Sequence, residues 1–298
     1  MLLFDDEEPL SSYEVPLQLS STGEEFHTLN ASPEDYERGN VIERTEGSIH
    51  IYCDLMDVKH GNLGANTNDK NDLATLMVFR FRIDTQKNSR RVYRARVRIE
   101  FFPADRTGSR STPIVEAIAP EGRWSLMPTT DAESLTKGAE VDLGVSGPSI
   151  VNASTKVTLQ KTKTRDITSS TIVSGSMNLG KGKNAGVYTA ANWNLLENEK
   201  RSSGVPDSIL VALRLTRHDE ERFNAEISLS TEADIATRFG NLFGRKVRLD
   251  DPVLFNPQAQ SELKHSKKGR LYGAQNLGDI DLYSLCGASM SSDAFWAK

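Results

Sequence analysis

Apolar and polar positions alternate along most of the chain, and helical periods are scarce. In "SIHIYCDL", Ile49, Ile51, Cys53 and Leu55 alternate with polar neighbours, the period-2 pattern of a strand with one face buried. The same period returns in 75–83, where Met77, Phe79, Phe81 and Ile83 share one face and Val78, Arg80 and Arg82 the other. It returns again in 92–102, with Tyr93, Ala95, Val97, Ile99 and Phe101 opposite Arg94, Arg96, Arg98 and Glu100. "PIVEAIAP" and "RWSLM" read as short strands. "EVDLGVS", "STKVTLQKTK", "DITSSTIVSGSM", "VYTAANWNLLE", "SILVALRLTRH" and "RFNAEISLS" complete a set of about ten. The stretches 57–72, 128–139 and "ENEKRSSGVPD" read as loops, and "NLGKGKNAG" as a glycine-rich turn.

One segment has a helical pattern. "STEADIATRFGNLFGR" (230–245) offers Ser230 or Thr231 as N-cap, acids in the first turn, and Ile235, Phe239 and Leu242 on one face; Gly240 weakens it. The expected fold is therefore mainly β: an antiparallel sandwich, a barrel second, with one short amphipathic helix near 231–243. The expected organisation is an acidic, irregular arm over 1–45, a sandwich over 46–257 and a loosely structured tail over 258–298. The sandwich is open to division into two related halves near 128–139. The tail carries Lys264, Lys267, Lys268 and Arg270.

Length and composition change this picture little. At 298 residues, 37% hydrophobic and 26% charged, the chain is an ordinary globular one. The sequence has no apolar run of membrane-span length and no signal-peptide pattern at its start, so a cytoplasmic location is expected. Cys53 and Cys286 read as two buried free thiols. The sequons at Asn30 and Asn152 read as chance matches.

Charge distribution changes it more. Residues 1–50 carry twelve acids and two bases, whereas 80–98 carry eight bases and one acid. If 75–83 and 92–102 pair as an antiparallel hairpin, Arg80, Arg82, Arg94, Arg96 and Arg98 lie on one face, with Lys87, Arg90 and Arg91 at its tip. Like charges opposed on a sheet cost about 0.2–1 kcal/mol per pair. The segment 210–230 offers a contrast: behind Leu213, Leu215, Ala225, Ile227 and Leu229, its outer positions mix Arg214, Thr216, Glu226 and Ser228. The one-sign face is open to three readings. It is a solvated surface satisfied by acids of the same fold; it docks an acidic protein surface, the chain's own arm or another chain; or it binds the phosphates of anionic lipid or nucleic acid. No aromatics interleave with the arginines and the pI is near 5.7, which disfavours a nucleic-acid reader.

Catalytic and metal motifs are not evident. Gly175, Gly180 and Lys181 have phosphate-loop spacing, but Gly182 stands where Ser or Thr would hold magnesium. His27, His50, His60, His218 and His265 lack zinc spacing; His50, Asp54 and His60 meet only if they share one strand end. "CGASMS" lacks the second glycine of a nucleophile elbow. No cofactor or metal is expected. Trp124 and Trp193 read as packing residues, and Trp296, beside Phe295, as a tail anchor. The expectation is a non-enzymatic binding protein; an enzyme with a convergent site is the rival class.

Overall fold

A computed structural model describes residues 28–46, 48–64, 73–86, 91–105, 111–141, 157–180, 186–233, 250–258 and 273–290, with backbone alone at 127–141 and 157–168. The fold is an antiparallel β-sandwich. Its strands are β1 (Asn40–Glu46), β2 (Ile49–Asn62), β3 (Leu73–Thr85), β4 (Val92–Pro103), β5 (Ile114–Ala119), β6 (Gly122–Val141), β7 (Val157–Leu179), β8 (Tyr188–Leu196), β9 (Ser208–Arg217), β10 (Phe223–Ala233), β11 (Val253–Phe255) and β12 (Gly287–Ser289). The first sheet has the order β1-β2-β3-β9-β12, with β5 also on β9. The second has the order β11-β10-β4-β8-β7-β6. Residues 127–170 cluster as a compact unit of their own, and the remainder forms the other unit.

The alternation read from the sequence places the core. Ile51, Cys53, Leu55, Phe79, Phe81, Val211 and Leu213 of the first sheet are buried with Val97, Ile99, Phe101, Trp193 and Leu229 of the second in one cluster. Each apolar face is hidden by the other, which is the reason a sandwich forms. In β2 the pattern switches midway. The register steps from Leu55↔Phe79 to Asp57↔Val78, so Met56 is an extra, bulged residue. After it Val58, not residue 57, joins the core. The bulge lets β2 run to Asn62, into a stretch expected to be loop; pairing of Val58 to Asn62 with Met77 to Leu73 overrides the polar composition there.

Three more expectations change. The pair β3–β4 is not a hairpin. β3 lies between β2 and β9, and β4 between β10 and β8. The connection from Gln86 to Arg91 therefore crosses from one sheet to the other. The segment 210–230 does the same, with β9 in the first sheet and β10 in the second. The two crossings interlock, because β3 pairs with β9 and β4 pairs with β10. Secondly, β6 runs through 128–139, where a loop was expected. Thirdly, Ser230 to Ala233 continue β10 opposite Arg96 to Val92, so the expected helix does not begin there; Ile235, Phe239 and Leu242 lie outside the described residues.

The outer face of the first sheet is partly covered. Leu277, Leu282 and Leu285, in two short 3-10 turns, pack on Met56, Ala74, Leu76, Val78 and Ala212. Arg214 fastens this cover by donating to the carbonyls of Leu277 (2.9 Å), Gly278 (3.0 Å) and Ile280 (3.4 Å), and it pairs with Glu116. β12 then pairs with β9. Lys264, Lys267, Lys268, Arg270, Phe295 and Trp296 lie outside the described residues. Among the described residues no helix is long and apolar enough to cross a membrane.

Candidate interaction face

The crossing of β3 to β4 divides the basic residues between two faces. Arg80 and Arg82 stand on the outer side of the first sheet; Arg94, Arg96 and Arg98 stand on the outer side of the second. The inward sets Phe79, Phe81, Ile83 and Ala95, Val97, Ile99, Phe101 are buried as the alternation requires. The inference of a single five-arginine face is corrected, because the strands carrying it pair with other strands. Arg91 precedes β4 and its Nε lies 3.3 Å from a carboxylate oxygen of Glu197. Lys87 and Arg90 lie outside the described residues.

On the first sheet, Arg80 is directly opposite Asp54 and donates to it through Nη2 (2.9 Å) and Nε (3.2 Å). Burial pushes the Asp54 carboxyl above the usual range, while the bond and charge of Arg80 oppose that rise. Arg82 lies over the ring of Tyr52, its cross-strand neighbour, at 5.2 Å, and bonds Asp84 at 2.7 Å.

On the second sheet the register sets out a lattice. Arg94 stands between Glu232 of β10 and Leu196 of β8; Arg96 between Ser230 and Asn194; Arg98 between Ser228 and Asn192; Glu100 between Glu226 and Ala190. Ser174 and Ser176 of β7 extend two of these rows. Glu232 takes both Arg94 (3.4 Å) and Arg96 (3.5 Å). Arg98 holds Glu100 (2.9 Å) and donates to Asn192 (3.3 Å), which donates to Asn178 (2.7 Å). The face carries three arginines and three glutamates, so its sign is mixed. The balancing carboxylates come from β4 itself and from β10. The Arg96 side chain is 55% exposed against 39% for Arg94 and 32% for Arg98. Exposed pairs of this kind contribute about 0–1 kcal/mol, so their donors exchange partners cheaply.

The described part of the arm is tied to the sandwich through other contacts. The backbone N–H of Thr28 donates to Asp250 (2.7 Å) and that of Asn30 to Asp251 (3.0 Å). Arg38 is buried and donates to the Asp251 carbonyl (2.8 Å) and to the side chain of Asn30. Arg44 joins Asp250 (3.3 Å) to the carbonyl of Leu229 in β10 (2.5 Å). The acids from Asp5 to Glu25 lie outside the described residues.

The histidines do not converge. His50 and His60 are on one strand, ten residues apart, which at roughly 3.3 Å per residue is about 33 Å before the bulge is allowed for. His50 meets Thr45 and Gln86, and Asp54 turns to Arg80. His60 instead lies between Glu37 (Nε2 to Oε1, 2.8 Å) and Thr75 (Nδ1 to Oγ1, 2.8 Å). An acid, an imidazole and a hydroxyl in line have the order of a nucleophile relay. Thr75 is 0% exposed, so its hydroxyl has no access to a substrate, and the chain of bonds pins residue 37 to β2 and β3. Sequence reading missed this clamp because Glu37 belongs to a segment without period; its φ of +56° is the only local sign of an imposed conformation. Among the described residues no group of three His, Cys, Asp or Glu is placed to hold a metal ion.

Cys53 and Cys286 are both free; the first is buried and the second half-buried. Gly175 is inside β7, where a Cβ would fall 1.9 Å from the Pro120 carbonyl and 2.9 Å from Trp193 Nε1. Its glycine serves close packing, not a phosphate loop. Trp193 is fully buried and donates to the same carbonyl at 3.0 Å. Trp124, expected in the packing, is 46% exposed and lies against Tyr283 with ring centroids 5.5 Å apart.

No protein-family model and no curated protein matches this chain. Among solved structures it is similar to the NetB toxin of Clostridium perfringens in its membrane-inserted form, at 8% identity, with 70% of this chain and 83% of that chain covered and a TM-score of 0.26. It is also similar to the Clostridium perfringens delta-toxin, at 13% identity, with 65% and 86% covered and a TM-score of 0.29. At these values the function has to be argued from the chain's own residues.

Proposed function

We propose that the protein is a non-enzymatic interaction protein that docks an acidic protein segment on the outer face of the second sheet, centred on Arg96. The observation carrying this reading is the division of one carboxylate, Glu232, between two guanidiniums, with Arg96 the most exposed cation of its row. A partner carboxylate has donors to meet there, and Ser230, Asn194 and Ser174 flank the position with uncharged donors and acceptors. The three glutamates on the face count against a polyphosphate, which would meet them all, and favour a peptide whose acids are spaced to avoid them.

The chain supplies a segment of that chemistry. Residues 1–27 hold seven acids and no lysine or arginine. The segment is rooted at Thr28, which shares Asp250 with Arg44, and Arg44 reaches Leu229, next to the Ser230 that faces Arg96. The test is a fluorescent peptide of residues 1–27 titrated onto a full chain whose own seven acids are changed to the corresponding amides. Binding that weakens with salt, falls about tenfold (~1.4 kcal/mol) in Arg96→Glu and is unchanged in Arg82→Glu on the other face is expected. Equal binding by Arg96→Glu, or none by the parent, refutes the reading. Retention on heparin lost with the same arginine would move it to phosphate.

A further inference from the structure

The hairpin of β7 and β8 ends in apolar side chains that stand in solvent. Leu179 is 52% exposed, Tyr188 46% and Val187 37%. They are three of the five large hydrophobic side chains left exposed among the described residues, and all three fall within 179–188. Leu179 and Tyr188 are opposite each other in the ladder, and the backbone N–H of Gly180 donates to the Val187 carbonyl (2.8 Å). The three side chains are therefore gathered at one hydrogen-bonded tip. Two residues back, Met177 packs against the core. The register shifts between Asn178 and Leu179, and the pairing of β8 with β4 stops at Ala190. Exposure thus begins where the end of the hairpin leaves the ladder to β4.

Single exposed apolar residues are ordinary, but a cluster of them marks a surface that meets another apolar phase. The charge of the hairpin narrows the choice. Between Asp166 and Glu197 the sequence holds two charged residues, Lys181 and Lys183, and both fall between Gly180 and Val187. The carboxylate nearest on the neighbouring strand, Glu100 opposite Ala190, is held by Arg98 at 2.9 Å. We propose that this tip inserts into the interfacial layer of an anionic lipid surface, with Leu179 and Val187 towards the acyl chains and Tyr188 at headgroup level. Size argues against a protein partner or a second copy of the chain, since a stable protein interface takes roughly 20–30 residues a side. A lipid surface needs no such area: a few apolar side chains with lysine charge beside them give weak, reversible attachment. This inference is independent of the docking of an acidic segment at Arg96.

The test is flotation of the full chain with vesicles of mixed phosphatidylcholine and phosphatidylserine, and with vesicles of phosphatidylcholine alone. Binding to the mixed vesicles that falls with added salt, is weaker on phosphatidylcholine alone and drops about tenfold in the double variant Leu179→Asn, Tyr188→Asn is expected. Circular dichroism checks the fold of that variant. Should it fail to fold, Val187→Asp, which precedes β8, serves instead and is expected to show the same loss. No flotation with the mixed vesicles, equal flotation with both kinds, or flotation kept in the folded variant overturns the proposal. Flotation lost in Arg96→Glu and kept in the double variant assigns the lipid to the arginine face and overturns it as well. Self-association of the parent without vesicles, absent from the double variant, would make the tip a contact between copies and also overturns it.

Discussion

Replacing Arg80 by Met tests whether the arginines of these sheets are internal structural partners. Met keeps much of the apolar stem and removes the charge. Asp54 would then be left with 13% of its side chain exposed and without its bidentate donor. Two unit charges about 4 Å apart at an effective dielectric near 20 interact by about 4 kcal/mol. Breaking a buried pair from one side costs about 3–5 kcal/mol, because the remaining charge is stranded. Arg82 also acts on Asp54 and stays in place, so a loss near 3 kcal/mol at pH 7 is expected, read by urea denaturation.

The pH dependence has a definite sign. The folded carboxyl of Asp54 is raised even with Arg80 present, and loss of Arg80 removes a bond and a charge that hold it down. With the folded pKa above the unfolded one, the native state binds the extra proton. The variant therefore regains stability as pH falls through the folded pKa towards the unfolded value. The double variant Arg80→Met, Asp54→Leu should recover most of the loss at pH 7. A single-variant cost below about 1 kcal/mol, or a cost unchanged between pH 7 and pH 4, would show that the pair is mere surface.

Three other outcomes are expected. Gly175→Ala places a methyl inside contact distance of the Pro120 carbonyl and of Trp193, so it should lower stability by about 1–3 kcal/mol and alter the near-ultraviolet signal of that tryptophan. Arg214→Ala removes three carbonyl bonds from the cover over the first sheet, so limited proteolysis should cut within 277–285 while the midpoint for the sandwich stays near its parent value. Burial pushes both thiols up, Cys53 well up, so a thiol reagent should read at most one cysteine in the native chain, faster as pH rises, and two in denaturant. Fast reaction of both in the native state would contradict that burial.

Which residues point inward was legible and which strands touch was not, for one physical reason. Phe79, Phe81 and Ile83, or Leu213, Leu215 and Ile227, show the same alternation whether the next strand folds back beside them or crosses to the other sheet. The arginine face followed from a choice of pairing that alternation cannot make. Its resolution lay in Glu226, from the segment used as the contrast, and Glu232, from the supposed helix, both of which arrive beside β4 through β10. The strand over 128–139 was missed because "PTTDAESLTKGA" has no apolar period to read. The start of the supposed helix failed similarly: Ser230 and Glu232 resemble a cap and a first turn, yet the ladder to β4 claims them.

The interlocked crossings also bear on how the chain reaches this state. The central contacts of the first sheet join residues 126 to 144 apart, from Arg82↔Ser208 to Leu73↔Arg217. Closing a segment of about 126 residues instead of a six-residue turn costs about 2.7 kcal/mol more in chain entropy. Neither β3 nor β4 can complete its sheet until β9 and β10 have been made and brought back, so the folding nucleus has to include both corners. A sandwich joined in this way should fold slowly for its size, with β3 and β4 exposed in the interval to any other strand that comes within reach.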